Sequence, residues 1–361
     1  MADTNVATGL TVQQWDAKYF RTYIQENPFM RYMGTGENSI FQIKEDLKTK
    51  KGQSVTFSLV NRLTNGAVLG SNTLEGNEEE MTSRSHKVEV DKRRNAVRVA
   101  EIDEQFSAIS LRNAAKPTLM DWSIEDTRDQ VLDALGSING TVYGSASEGA
   151  KDAWLADNAD RVLFGSVKSN NSGNDHSASL ANIDNSADQL DTGALSLMKR
   201  MALAASPKIR PIRVAGMNKR FFVCFVHPYV MRDLKTDTVI TSAQRDVVLR
   251  NQNNKLFEGG DVEWDGIIVH EVDDMPILSG VGAGGIDVSP VYFCGAQALG
   301  VAYAKRWKSV QETFDYGDKV GVAIETIMGI DKLEFGTGAD DTTDPVDHGL
   351  LTGYFAAVAD S

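Results

Sequence analysis

Between two stretches of alternating apolar and polar residues the chain inserts NRLTNGAVLGSNTLEGNEEEMTSRS, residues 61–85. No other feature constrains its fold as much. From 39 to 103 the period is two: Val55, Phe57 and Leu59 alternate with polar residues, as do Val88 and Val90, then Val97 and Val99. The residues DKRRN, 91–95, read as a polar break between strands. Within the insertion, Asn65-Gly66, Gly70 and Gly76 are turn formers. Leu69, Leu74 and Met81 are apolar, yet no regular element is at hand to bury them. So long a connection is unusual inside a compact domain and tends to be functional. The expectation is an extended hairpin that reaches away from its own body and buries its tip on another molecule.

Elsewhere the periods are mixed. Residues 11–26 read as a helix capped by Thr11 and stopped at Asn27-Pro28, with Val12, Trp15, Tyr19 and Tyr23 in a stripe. That aromatic stripe docks either on the chain's own core or on a neighbouring subunit. Pro117 suits a first turn, and 118–138 carries the strongest helical period, with Ile124, Val131, Leu132, Leu135 and Ile138 on one face. At 1.5 Å per residue this is a rod of about 30 Å. Further helices are expected over 153–164, 188–205, 229–235 and 242–250. Residues 165–187, rich in Ser and Asn, read as a surface loop or boundary. FFVCFV, 221–226, reads as a strand buried on both faces, and 267–272, 290–303 and 320–330 as further strands. Periodicity fades after Phe335 until a last apolar piece, 350–358. The order is α+β, without the regular βαβ alternation of a dinucleotide fold.

The net charge of -13 argues against a protein that grips nucleic acid through phosphates, which needs a basic face. The charge is uneven: from Asp331 onward, seven acids face the single base Lys332. No apolar run approaches the roughly 18 residues of a membrane span, and no secretory signal is expected. The two cysteines, Cys224 and Cys294, exclude a disulfide framework and a multi-cysteine zinc site, and fit a reducing cytosol.

Catalytic signatures do not assemble. Residues 280–285 match GxGxxG, but Asp287-Val288-Ser289-Pro290 cannot open the helix that pyrophosphate binding requires. Cys224 and His227, three apart in a strand, point to opposite faces, so both cysteines read as small core hydrophobes. Glu78-Glu79-Glu80, Asp273-Asp274, and Asp340, Asp341 and Asp344 read as solvated loop acids without EF-hand spacing. Neither catalytic residues, a metal nor a cofactor is expected.

The stretch NTLEGNEEE (72–80), the strand pair KVEVDKRRNAVRVAEID (87–103), the rod helix after Pro117 and GAQALGVAYAKRW (295–307) together resemble major capsid proteins of tailed bacteriophages. The type most similar is the phage N-four-like coat family, over about 11–336. The resemblance implies the Hong Kong 97-type coat fold. It would have an N-terminal arm (1–37), an extended β-hairpin loop (38–101) and a peripheral domain (102–187) with a spine helix at 118–138. An axial domain (188–304), a return to the peripheral domain (305–336) and an acidic C-terminal tail (337–361) would follow. The implied function is a shell subunit that forms hexamers and pentamers with itself and encloses DNA without reading its sequence. Portal and possible scaffolding or decoration proteins are the implied partners. The implied place is the virion, after assembly in host cytoplasm. Interface residues are expected at Trp15, Tyr19, Tyr23, Leu69, Leu74, Glu75, Asn77, Glu78, Glu79 and Met81. A cellular encapsulating compartment, or a cytosolic nucleotide-dependent enzyme, are the alternatives.

Overall fold

The computed structural model describes residues 27–48, 51–61, 63, 65–107, 109–214, 219–242, 262–337 and 341–360. The expected helices over 11–26, with Trp15, Tyr19 and Tyr23, and over 242–250 lie outside them, Ser242 excepted. Two compact units emerge. The smaller holds Lys92–Arg128 and Lys305–Ile327, the larger Pro28–Asp91, Asp129–Ala304 and Met328–Ser361.

In chain order come β1 (Met33–Gly34), β2 (Phe41–Lys44), β3 (Ser54–Val60), β4 (Ser83–Glu89), β5 (Asp91–Ala100), α1 (Glu101–Phe106) and α2 (Leu111–Leu135). Next are α3 (Glu148–Asp157), β6 (Val162–Phe164), α4 (His176–Leu180), α5 (Thr192–Ala204), β7 (Ile212–Val214), β8 (Lys219–Val226) and α6 (Pro228–Thr236). Last are β9 (Val262–Trp264), β10 (Ile267–Glu271), β11 (Val288–Cys294), β12 (Leu299–Phe314), β13 (Lys319–Lys332), β14 (Glu334–Thr337), β15 (Thr343–Asp347) and β16 (Leu350–Ala356). This is a mixed helix and sheet fold.

The larger unit is built on a sheet of order β6-β16-β11-β8-β10-β9, with β7 beside β8. FFVCFV falls in β8, and its alternation feeds two cores. Phe222, Cys224 and Val226 pack with Leu195, Met198 and Met201 of α5 and with Val230 and Leu234 of α6. Val223 and Phe225 turn to the other side, against Phe29, Phe41 and the α2 residues Val131, Leu132 and Leu135. The Phe29 and Phe225 rings meet edge to face at 4.8 Å. The last part of the expected arm is thus core. Both cysteines are free and fully buried, which pushes their thiols up, as expected of core hydrophobes.

Several elements differ from expectation. The rod helix starts at Leu111, six residues before Pro117, and stops at Leu135. Glu104 permits the early start: its carboxylate accepts from Ser110 Oγ, Leu111 N and Arg112 N, satisfying donors the first turn leaves open. Residues 153–164 are not one helix. Helix α3 stops at Asp157, where Asn158 bonds back to Trp154 O, and Val162-Leu163-Phe164 forms β6 beside β16. The stretch 165–187 is folded around buried Asp188, which accepts from Ser166 N, Asn170 Nδ2 and Asp184 N. DKRRN is no break, since only Val90 separates β4 from β5. The expected acidic tail, 337–361, contains β16, a buried strand between β6 and β11. The apolar piece expected over 350–358 is this strand, and the acids of the segment only flank it.

Candidate assembly surface

Strands β3 and β4 pair antiparallel, from Ser54 opposite Glu89 to Val60 opposite Ser83. The inward side chains of this root, Val55, Phe57 and Val88, join Ala302 and Leu333 in a small core. Outward side chains on the same strands are polar apart from Val60 at the end of β3, so period-two alternation leaves the hairpin one buried and one wet face.

Polar contacts fix the root further. Asp341 accepts from Ser85 N at 2.8 Å, Ser85 Oγ at 3.0 Å and Arg84 Nη1 at 3.2 Å. His86 Nε2 stands 3.3 Å from Asp331 Oδ2. Burial works to lower the His86 pKa, but the bond to Asp331 and the charges of Asp331 and Glu334 win and raise it. Asp341 is therefore a clasp on β4, whereas a solvated loop acid was expected.

Beyond the root, described residues between Asn61 and Thr82 form no helix or strand. Leu74 to Asn77 make a turn, Asn77 N to Leu74 O at 2.9 Å, with Gly76 at φ 85°, which favours glycine. Asn77 Nδ2 donates to Thr73 O, and Glu79 Oε2 accepts from Asn65 N at 2.8 Å, tying the two limbs together. Glu75 and Glu78 are exposed, and Glu78 also accepts from Gly76 N. Leu69 is 74%, Leu74 64% and Met81 69% exposed, so the described residues bury none of the three. At about 25 cal/mol per Å², such a tip is a standing drive toward association.

A second feature escaped the reading of the sequence. Lys332, Glu334 and Asp347 are buried together. Lys332 Nζ lies 3.0 Å from Asp347 Oδ1 and 3.3 Å from Glu334 Oε1, donates to Ser137 O at 2.7 Å, and sits 5.2 Å from the Trp154 ring centre. Burial, with Asp347 adding, pushes Glu334 up to about 7 despite Lys332. Arg161, also buried, donates to Asp347 O and to Pro207 O. Lys332 and Glu334 differ by two along the chain, a spacing that puts both on one side of a strand; that signal was available.

Among the described residues, the matched glycines do not build a nucleotide site. The glycines of 280–285 form a short turn before β11, and Gly280 N bonds Asp287. A cavity of 350 Å³ in the larger unit carries Asp129, Asp133 and Asp274 among Leu132, Tyr143 and Tyr292, charges of the wrong sign for a phosphate. The carboxylates of Glu148, Asp152 and Asp175 approach one another. However, Asp152 accepts from His176 N and Asp175 caps α4 through Ala178 N. Among the described residues, no helix is long and apolar enough to cross a membrane.

A hairpin with a packed root and a bare apolar tip fits a structural protein that assembles with others. The comparisons agree. The family described as phage capsid protein matches residues 3–359. The major capsid protein of Pseudomonas phage KPP25 is 28% identical over 360 residues, 95% of this chain and 94% of that one. The capsid asymmetric unit of cyanophage Pam1 has a similar structure, with TM-score 0.87 and 30% identity over all of both chains. The capsid of Ralstonia phage GP4 is similar in fold, with TM-score 0.77 and 23% identity, again over the full length of both. The chain belongs to the phage capsid protein family.

Proposed function

We propose that this chain, a major capsid protein of tailed phages, closes with copies of itself into an icosahedral shell around double-stranded DNA. The observation that carries the assembly reading is the bare tip: Leu69, Leu74 and Met81 stay exposed on a hairpin whose root is firmly packed. In the shell they bury on an adjacent subunit, and Glu75, Asn77, Glu78 and Glu79 line the same contact. Trp15, Tyr19 and Tyr23 add a second contact through the N-terminal arm. A closed shell repeats such contacts around hexamers and pentamers, so individually weak interfaces suffice. The Hong Kong 97-type arrangement, with hairpin loop, spine helix α2 and an axial domain built on the β8 sheet, is the finer form of this reading. So is the N-four-like type, whose most specific mark is NTLEGNEEE joined to the strand pair of 87–103. The net acidic chain limits adhesion to packaged DNA. Portal, scaffolding or decoration proteins and assembly in host cytoplasm complete the proposal.

The test is gel filtration of the purified chain followed by negative-stain microscopy. Closed shells are expected; a soluble low-order oligomer that binds nucleotide would overturn the reading, and shells that copurify with an enzyme cargo would favour an encapsulating compartment.

A further inference from the structure

Strand β5 ends its sheet. The order β1-β2-β12-β13-β5 leaves one long side of β5 without a strand partner among the described residues. Such an edge offers unpaired backbone groups and is ordinarily a liability. Here it is also strongly basic: Lys92, Arg93, Arg94 and Arg98 follow Asp91 with no acid before Glu101. Period two puts Lys92, Arg94 and Arg98 on one side. Arg93, on the other, is tied to Asp126 Oδ1 at 2.7 Å, and Lys92 lies 2.7 Å from Glu325 Oε2. Arg94 and Arg98 are exposed and hold no hydrogen bond or ion pair among the described residues, although Arg98 lies within the electrostatic reach of Asp315 and Lys319.

The hairpin tip carries the opposite pattern. Glu78, Glu79 and Glu80 form an acidic run in an irregular segment outside any sheet. Glu79 accepts from Asn65 N and Glu78 from Gly76 N, while Glu78 and Glu80 share the alternate side and are both exposed. In extended chain these two are about 7 Å apart, the same interval that separates Lys92 from Arg94.

We infer that the β5 edge of one subunit receives the segment 77–81 of another copy's hairpin as an added strand, with Glu78 and Glu80 facing Arg94 and its basic neighbours. The inference rests on the coat reading and names the surface that the hairpin tip meets. Two β5 edges cannot pair with each other, because bases would stand opposite bases. The charge that keeps like edges apart thus selects an acidic strand.

A charge exchange tests it. Glu78→Arg with Glu80→Arg, or Arg94→Glu with Arg98→Glu, is expected to lower the yield of closed particles about tenfold. Combining all four substitutions is expected to bring the yield back to near the wild-type level. All four positions are exposed, and circular dichroism of each variant checks that the subunit still folds. Wild-type yield from either pair alone, or no recovery in the fourfold variant, overturns the pairing. Wild-type chain that never forms particles would instead sink the coat reading itself.

Discussion

A β-carbon on Gly329 would stand 1.8 Å from the carbonyl oxygen of Glu89. Strand β13 therefore passes β4 so closely that only glycine fits, and this approach seats the hairpin root on the body. Gly329→Ala is expected to push β4 outward and cost about 1–3 kcal/mol, as overpacking does. Urea denaturation of the subunit measures it, and a wild-type midpoint would show that the root yields freely.

The contact between His86 and Asp331 makes the same root sensitive to pH. The His86 pKa is raised in the fold, so its contribution is fully present below the ordinary 6.5. It fades as pH rises through the folded value. In Asp331→Asn the main opposing charge is gone. The stability difference between wild type and this variant should therefore shrink as pH climbs from about 5 to 8. Thermal melting across that range tests the sign; a gap that widens with pH would contradict it.

Leu74→Asp separates assembly from folding. The residue is exposed, so the free subunit should keep its stability within about 0.5 kcal/mol. An acid in a contact that must be dry should nonetheless stop shell formation, followed by light scattering. Undiminished scattering would remove Leu74 from the interface.

These predictions draw unequally on what the sequence makes visible. The hairpin was legible because two alternating runs flank residues that neither run can bury, and β8 because six apolar residues in a row have no wet face. The start of α2 was hidden: Pro117 reads as a first-turn residue, whereas Glu104, seven positions before Leu111, supplies the cap through space. β16 was legible as the last apolar piece, 350–358, although the acids before it carry no period. Asp341 looked solvated because its partners, Arg84 and Ser85, lie more than 250 positions away. Ion pairs of that separation leave no local period to read. The same holds for Asp347, which meets Lys332 only when the β14–β15 hairpin closes.

That buried cluster gives the last prediction. Lys332 balances two carboxylates in a space closed to water, and both partners lose their counter-charge when it is removed. Lys332→Met keeps much of the volume and strands Asp347 with Glu334, at an expected cost of about 3–5 kcal/mol near neutral pH. Glu334 is raised in the fold from 4.5 to about 7, chiefly by burial, so its favourable protonated form is fully present below about 4.5 and lost as pH rises through about 7. Without the lysine this dependence steepens, because nothing then favours the charged form. The variant should accordingly recover part of its loss on acidification, and adding Glu334→Gln should recover part of it at neutral pH. Urea midpoints of the subunit at pH 5 and pH 8 decide it: an equal deficit at both would mean that the lysine acts by packing its stem alone.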